Sequence, residues 1–198
     1  LNSMADFAAF SSALRTTALE LIRIANDFRL LGSGPRTGLS EIKLPPVQPG
    51  SSIMPGKVNP VMAEMLNMVA FQVVGNDTAI AFASQAGQME LNVMGPVINY
   101  NLLSSILILA SSTAVFTERC VLGLSADKKR CSQNFENSVG LATLLNSFIG
   151  YDEAAVIAKE SERTGRTLRE ILSDSGKFSG EEIATLFEVT RVTSPQKP

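Results

Sequence analysis

The sequence between Lys57 and Arg119 contains no lysine or arginine, although the chain has 17 basic residues in total. Acidic residues are also sparse there, namely Glu64, Asp77, Glu90 and Glu118. Apolar and uncharged residues fill two long segments of this stretch, 60–86 and 96–117. Helices that are uncharged on almost every face are normally buried on all sides. The pattern therefore predicts two core helices of a helical bundle.

The segment 102–116 raises the alternative of a membrane-spanning helix. Polar side chains lie just before it and within it, at Asn99, Asn101, Ser104, Ser105, Ser111 and Ser112. Flanking basic residues do not lie where a membrane anchor favours them, so we expect no membrane partner. A chain of 198 residues has few further helices with which to surround both segments. The pattern thus predicts a homo-oligomer in which equivalent helices pack across subunits.

The sequence as a whole predicts an all-α fold with two domains. Apolar residues recur with helical spacing over residues 3–31, which predicts an amphipathic helix that ends at a glycine-rich segment. Charged residues return after Asp127. We therefore expect residues 1–138 to belong to the helical bundle and residues 139–198 to form a small helical domain.

Local signals give more detail for the small domain. Residues 152–163 have a helical pattern that Gly165 closes. Capping boxes at Thr167–Glu170 and Ser179–Glu182 each open a short helix. The tail, residues 193–198, is predicted to be disordered.

Composition excludes several classes of function. The formal net charge is −2 and the basic residues are scattered, so we expect no nucleic-acid partner. The chain has no histidine, and Cys120 and Cys131 lack a metal-binding spacing, which argues against a metal site. Both cysteines are expected to be small buried apolar side chains. We expect no secretory signal, and therefore a cytoplasmic location with reduced thiols.

Side chains that could bind a ligand or take part in a reaction are concentrated in the segment 50–60, here called the 50–60 loop. Its sequence is Gly-Ser-Ser-Ile-Met-Pro-Gly-Lys-Val-Asn-Pro. Its glycines and prolines predict a shaped turn. Asn59 followed by Pro60 predicts a helix N-cap with proline at the first helical position. Lys57 adds a full charge beside the positive end of that helix. The loop is therefore expected to bind a carboxylate or a phosphate.

A nucleotide phosphate loop does not explain this segment. That motif has a shorter spacing between its first glycine and Gly-Lys, and it continues with serine or threonine. Here five residues separate Gly50 from Gly56, and Val58 follows the lysine.

Ordinary structural roles remain open for each residue taken singly. Ser51, Ser52 and Asn59 are typical turn and cap residues. Lys57 could be a solvated surface charge. Glu64 suits the first turn of a helix, where an acidic side chain complements the helix dipole.

The 50–60 loop resembles the signature Gly-Ser-Ser-x-Met-Pro-x-Lys-x-Asn-Pro of the fumarase/aspartase superfamily, which it matches at every fixed position. The variant here, continued by Val61-Met62-Ala63-Glu64, is similar to the aspartase and class II fumarase branch. Members of that branch are much longer, and the similarity covers their C-terminal portion, so we expect a fragment or a processed form. The resemblance implies a helical homotetramer whose active sites combine segments of several subunits.

The resemblance also implies roles for individual residues. Ser51 would be the catalytic base, which takes a proton from the substrate carbon that lies beta to the substrate's amino group. Substrate-binding roles are implied for Ser52, Lys57 and Asn59. Met54 would pack the loop, and Glu64 would hold a histidine supplied by another subunit.

The activity that the resemblance implies is that of an aspartate ammonia-lyase. This reaction eliminates ammonia from L-aspartate to give fumarate through an aci-carboxylate intermediate, without an organic cofactor or a metal. Two alternatives stay open at this point. A class II fumarase would expel hydroxide from the same kind of dicarboxylate, and a non-catalytic assembly fragment would have no activity by itself.

Overall fold

The computed structural model describes residues 2–193. The chain divides into two compact units, of which the first ends at Asp127 and the second begins at Lys128. The first unit contains α1 (Ala5–Leu31), β1 (Ile42–Lys43), α2 (Val61–Gln85), α3 (Gly95–Phe116), a π-helical segment (Thr117–Val121) and β2 (Ser125–Ala126). The second contains α4 (Lys128–Glu136), a 3-10 helix (Val139–Leu145), α5 (Asn146–Ile149), α6 (Tyr151–Thr164), α7 (Leu168–Ser175), α8 (Gly180–Leu186) and α9 (Val189–Thr193). The compositional boundary at 138/139 lies inside the second unit.

The first unit is built on an antiparallel arrangement of α1, α2 and α3. Its core consists of three clusters along the helices, represented by Ala25, Leu66 and Phe116, then Ala18, Val73 and Leu109, then Leu14, Ile80 and Leu102. Residue numbers fall along α1 while they rise along α2, and they fall again along α3. Each helix is therefore antiparallel to the next in the sequence.

Buried polar contacts fix the register of α1 against α2. Ser11 Oγ donates a hydrogen bond of 2.6 Å to Asp77 Oδ1, and Arg15 Nε lies 3.3 Å from Asp77 Oδ2. Asn67 Nδ2 donates to Asn26 Oδ1 at 2.9 Å. Because buried polar groups are costly when they lose their partners, these pairs favour one alignment of the two helices over shifted ones.

Helix α3 with its π-helical extension, Gly95–Val121, is the one helix among the described residues that is long and apolar enough to cross a membrane. Only 28% of its apolar window is buried within the chain. It packs against α2, where Asn76 Nδ2 donates to Ser105 Oγ at 3.0 Å. Large apolar side chains on the other faces of the two helices are exposed, among them Met68, Phe71, Phe82, Leu103 and Leu107. Helices α2 and α3 are thus not buried on every side within one chain, although the sequence pattern predicts helices that are.

The second unit has its own core around Leu145, Leu172 and Phe187. Arg169 ties the surrounding elements together, because its Nε lies 2.6 Å from Glu136 Oε2 and its guanidinium stacks 5.0 Å from the centre of the Phe187 ring. Arg169 is only partly exposed, which lets this ion pair contribute more than a fully solvated one.

The predicted all-α class is confirmed, since the described strands are limited to one two-stranded sheet. The predicted long helices correspond to α1, α2 and α3. Both capping boxes form, and Gly165 ends α6 in the left-handed conformation, with φ 70°. Cys120 is buried, which raises the pKa of its thiol, whereas Cys131 is partly exposed. Residues 194–198 of the predicted disordered tail lie outside the described residues.

The capping box at the start of α8 predicts a measurable pH effect. The Glu182 carboxylate accepts hydrogen bonds from the Ser179 backbone N–H and hydroxyl, at 2.7 and 2.9 Å, and these lower the pKa of Glu182 from its usual 4.5. A folded-state pKa below the unfolded one means that the stabilisation is complete above about pH 4.5 and is lost as pH falls through the folded value. Ser179→Ala should therefore raise the Glu182 pKa, as measured by an NMR pH titration.

Glu181 is the control residue in the same titration, because it lies in the same helix turn and takes no part in the capping box. Ser179→Ala should change the signal of Glu182 and not that of Glu181. An unchanged Glu182 pKa in Ser179→Ala would contradict this account of the capping box.

Candidate active site

The 50–60 loop leads from an extended segment after β1 into the start of α2, and its two ends lie close together. A Cβ atom added to Gly50 would lie 2.1 Å from the backbone oxygen of Lys57, so no other residue fits at position 50 without a backbone shift. Asn59 Nδ2 donates a hydrogen bond of 2.7 Å to the Gly50 carbonyl. Gly56 has a φ of 78°, a conformation that favours glycine. Two contacts therefore close the loop: the close approach of Gly50 to the Lys57 backbone, and the hydrogen bond from the Asn59 side chain to the Gly50 carbonyl.

The hydroxyl of Ser51 lies at the centre of a tight turn in this loop. Its Oγ accepts hydrogen bonds from the backbone N–H groups of Ile53 and Met54, at 3.1 and 3.2 Å. The turn is continued by Lys57 N–H, which donates to the Met54 carbonyl at 3.2 Å. Hydrogen bonds to the charged form of an acid favour that form. Two backbone donors aimed at one hydroxyl oxygen would stabilise it as an alkoxide.

An open depression of about 450 Å³ lies on one side of the loop. Ser51, Met54 and Lys57 line it, together with the extended segment 46–49. Met54 is half exposed there, and Lys57 is exposed. The chemistry of this surface is a hydroxyl and an ammonium group on a partly apolar wall. Such a surface suits a small anion that must be held beside a base.

A second cavity of about 580 Å³ shares Gly56, Lys57 and Val58 with the first. Its lining includes Lys57 and Asn59 from the loop, Lys43 from β1, and Asp127, which directly follows β2. Lys57 lines both cavities. Ser52 is exposed and Glu64 is partly exposed in the first turn of α2, and both lie outside the linings of these two cavities.

The predicted N-cap role of Asn59 is wrong. Helix α2 begins at Val61, Pro60 occupies the cap position, and no side chain caps this end of the helix. The first hydrogen bond of the helix runs from Glu64 N–H to the Pro60 carbonyl, at 3.0 Å. The close approach of Gly50 brings its carbonyl within reach of Asn59, and this tertiary hydrogen bond replaces the local one that the sequence pattern favours.

Sequence reasoning missed one pair of groups that lies outside the loop. Lys43 Nζ lies 3.0 Å from Asp127 Oδ2 at the edge of the second cavity. These two residues are far apart in the sequence, and neither carries a motif that could have linked them.

Comparison with known proteins agrees with the signature of the loop. A family model described as Lyase matches residues 1–75, and a model of the fumarase C C-terminus matches residues 141–194. The chain is 47% identical to the aspartate ammonia-lyase of Bacillus subtilis (strain 168) over 189 residues, which are 96% of this chain and 40% of that protein. The chain belongs to the fumarase/aspartase superfamily.

Other members of the superfamily are about equally similar. The class II fumarate hydratase of Pseudomonas syringae pv. tomato is 51% identical over 175 residues, 88% of this chain and 38% of that protein. A fumarate lyase:delta crystallin from Brucella melitensis bound to cobalt aligns with a TM-score of 0.92 and 45% identity, covering 98% of this chain and 42% of that one. A class II fumarase from Schistosoma mansoni aligns with a TM-score of 0.88 and 39% identity, covering 95% and 39%. The chain thus spans about 40% of the length of the curated superfamily members it matches.

The closure of the 50–60 loop predicts the effect of removing its side-chain donor. Asn59→Ala deletes the hydrogen bond to the Gly50 carbonyl, and a typical net contribution of about 1 kcal/mol corresponds to roughly fivefold more frequent opening. Backbone amides of residues 50–57 should exchange with deuterium faster by about that factor. Mass spectrometry of the corresponding peptide measures the rate.

Gln48→Ala is the matched control, because this exposed side chain lies just before the loop. Equal exchange rates in Asn59→Ala and the unaltered chain would show that the loop is closed by other contacts.

Proposed function

We propose that this chain is the C-terminal portion of an aspartate ammonia-lyase, which converts L-aspartate to fumarate and ammonia as a cytoplasmic homotetramer. The observation that carries the proposal is the pair of backbone N–H groups on Ser51 Oγ in a loop that also presents Lys57. The similarity to aspartate ammonia-lyases supports the same reaction.

Ser51 is proposed as the base because the loop offers it what a serine normally lacks. A free serine hydroxyl ionises far above neutral pH, so it removes a carbon-bound proton only where positive potential favours the alkoxide. The Ile53 and Met54 amides and the Lys57 ammonium group can supply that potential. The alkoxide takes the proton from the carbon beta to the amine, and the electron pair of the broken C–H bond moves into the adjacent carboxylate. Collapse of this aci-carboxylate forms the double bond and expels ammonia.

Stabilisation of the dianionic intermediate is the larger demand of this reaction. Lys57 is proposed to provide a charge for the substrate carboxylate, and Ser52 and Asn59 are proposed as hydrogen-bond donors. Loss of one donor of this kind typically lowers the rate by about a hundredfold to a thousandfold. The Asn59 amide donates one N–H to the Gly50 carbonyl, and its second N–H stays available for a substrate carboxylate.

The site is proposed to be completed by other subunits. The exposed apolar side chains of α2 and α3 need cover, and packing of equivalent helices around a symmetry axis would bury them. Glu64 is proposed to hold a histidine of another subunit. These 198 residues contain no histidine, so that residue is proposed to lie in the part of the full-length chain outside them. In this arrangement one chain contributes the base, and its partners contribute the other catalytic groups.

A class II fumarase is the second candidate. The identity of 51% to a class II fumarate hydratase favours it as much as the identity of 47% to an aspartate ammonia-lyase favours the first. Both reactions form the same aci-carboxylate and differ in the leaving group. By resemblance, Val47-Gln48-Pro49 and Pro60-Val61-Met62-Ala63-Glu64 are proposed to favour an aspartase over a fumarase. The groups that recognise ammonium or hydroxyl are proposed to lie outside this chain.

The role of Ser51 leads to a direct prediction for the full-length protein. Ser51→Ala removes the base, and fumarate formation from L-aspartate should fall by at least about a hundredfold. Absorbance of fumarate gives the rate, and sedimentation velocity should show unchanged assembly. Ser173→Ala, an exposed serine on α7, is the control. Near-normal turnover in Ser51→Ala would remove this residue from the base role.

The non-catalytic alternative concerns the 198 residues by themselves. If other segments complete the site, the isolated chain should form a helical oligomer and produce no fumarate from L-aspartate. Fumarate formed by the isolated chain would contradict shared assembly of the site. A monomer in sedimentation would contradict the proposal that α2 and α3 pack across subunits.

A further inference from the structure

The chain that leaves α3 passes very close to the segment that leads into the 50–60 loop. A Cβ atom added to Gly123 would lie 2.6 Å from Pro45 Cγ, with Pro45 Cβ and Cδ at 3.4 and 3.9 Å. Gly123 is not among the glycines with a positive φ, so backbone conformation does not demand glycine here. Glycine is required at position 123 only because the Pro45 ring leaves no room for a Cβ atom.

Two further contacts hold the same segment. Strand β1 pairs with β2, so that Ile42 lies opposite Ala126 and Lys43 opposite Ser125. Beyond this pair, Asp127 N–H donates to the Glu41 carbonyl at 2.8 Å, and Lys43 Nζ lies 3.0 Å from Asp127 Oδ2. The segment before the loop is thus bound along one edge by the segment after α3.

The side chain of Leu44 holds the segment from a third direction. It packs against the cluster of Ala25, Leu66 and Phe116, which joins α1, α2 and α3. Only residues 46–49 separate Pro45 from Gly50, and Pro46 and Pro49 restrict the backbone between them. A displacement at Pro45 is therefore passed along a short, stiff connection to Ser51.

We propose that Gly123 is a positioning residue for the 50–60 loop, and that it acts through contact with the Pro45 ring. The inference rests on the proposed function, in which Ser51 must reach the substrate carbon accurately. An alanine at position 123 has to displace Pro45 or its own backbone, because the 2.6 Å approach is shorter than real Cβ contacts. A misplacement of about 1 Å in reacting groups can lower a rate by roughly a hundredfold.

The test in the full-length protein uses a second substitution that removes the clash. Gly123→Ala should lower kcat for fumarate formation by roughly tenfold to a hundredfold. Pro45→Ala removes Cγ and Cδ and leaves only the 3.4 Å contact, which is ordinary. The double variant should therefore recover the rate of Pro45→Ala alone, a non-additive result that indicates direct contact. Gly180→Ala, where an added Cβ meets nothing within 4 Å, is the matched control.

A readout independent of catalysis distinguishes loop positioning from general destabilisation. Lys57 is exposed, and the rate of tryptic cleavage after it reports how the loop is presented. This rate should change in Gly123→Ala, return in the double variant, and stay unaltered in Gly180→Ala, with thermal unfolding midpoints unchanged throughout. Normal kcat and normal cleavage in Gly123→Ala would overturn the proposal, as would failure of Pro45→Ala to suppress the defect.

The two proposals can fail separately. If the unaltered protein forms no fumarate from L-aspartate, the proposed function is wrong, while the cleavage rates still decide whether Gly123 positions the loop. If the unaltered protein is active and the Gly123 variants behave as the control does, only the positioning role is lost.

Discussion

The close packing of α1 against α2 is the contact on which the rest of the first unit depends. Ala18 and Ala25 on one helix and Ala63 and Ala70 on the other are fully buried, and such small side chains allow two helices to lie near each other. Helix α1 ends and α2 begins at the same end of this pair. The long connection that carries the 50–60 loop is therefore anchored at both ends by one helix contact. This anchoring restricts the path that the connection can take across that end of the bundle.

Within this frame the chemistry of the loop comes mainly from its backbone. Ser51 receives two amide hydrogen bonds, and Gly50 is required because its Cα faces the Lys57 carbonyl. A serine base is plausible chemistry only in a setting of this kind, because preorganised dipoles cost no reorganisation during the reaction. The loop is proposed to supply one part of an active site. Further subunits are proposed to pack on the exposed apolar faces of α2 and α3 and to bring the other part.

Much of the fold follows from local patterns. The absence of basic residues between Lys57 and Arg119 predicted two long helices from composition alone. The capping boxes predicted the starts of α7 and α8, because each box acts within one helical turn. The loop residues were identified through their resemblance to a signature. Contacts between distant segments were not predictable. Asn59 bonds to Gly50 instead of capping α2, and Gly123 meets Pro45, because tertiary approach decides both and no local pattern encodes it.

The most direct test of the account compares two substrates. The full-length protein is supplied with L-aspartate and, separately, with L-malate, and fumarate is followed by its absorbance. The proposed ammonia-lyase predicts fumarate from L-aspartate alone. Fumarate from L-malate alone would contradict the proposed leaving group and identify a fumarase with the same loop chemistry. Activity with neither substrate would contradict both assignments.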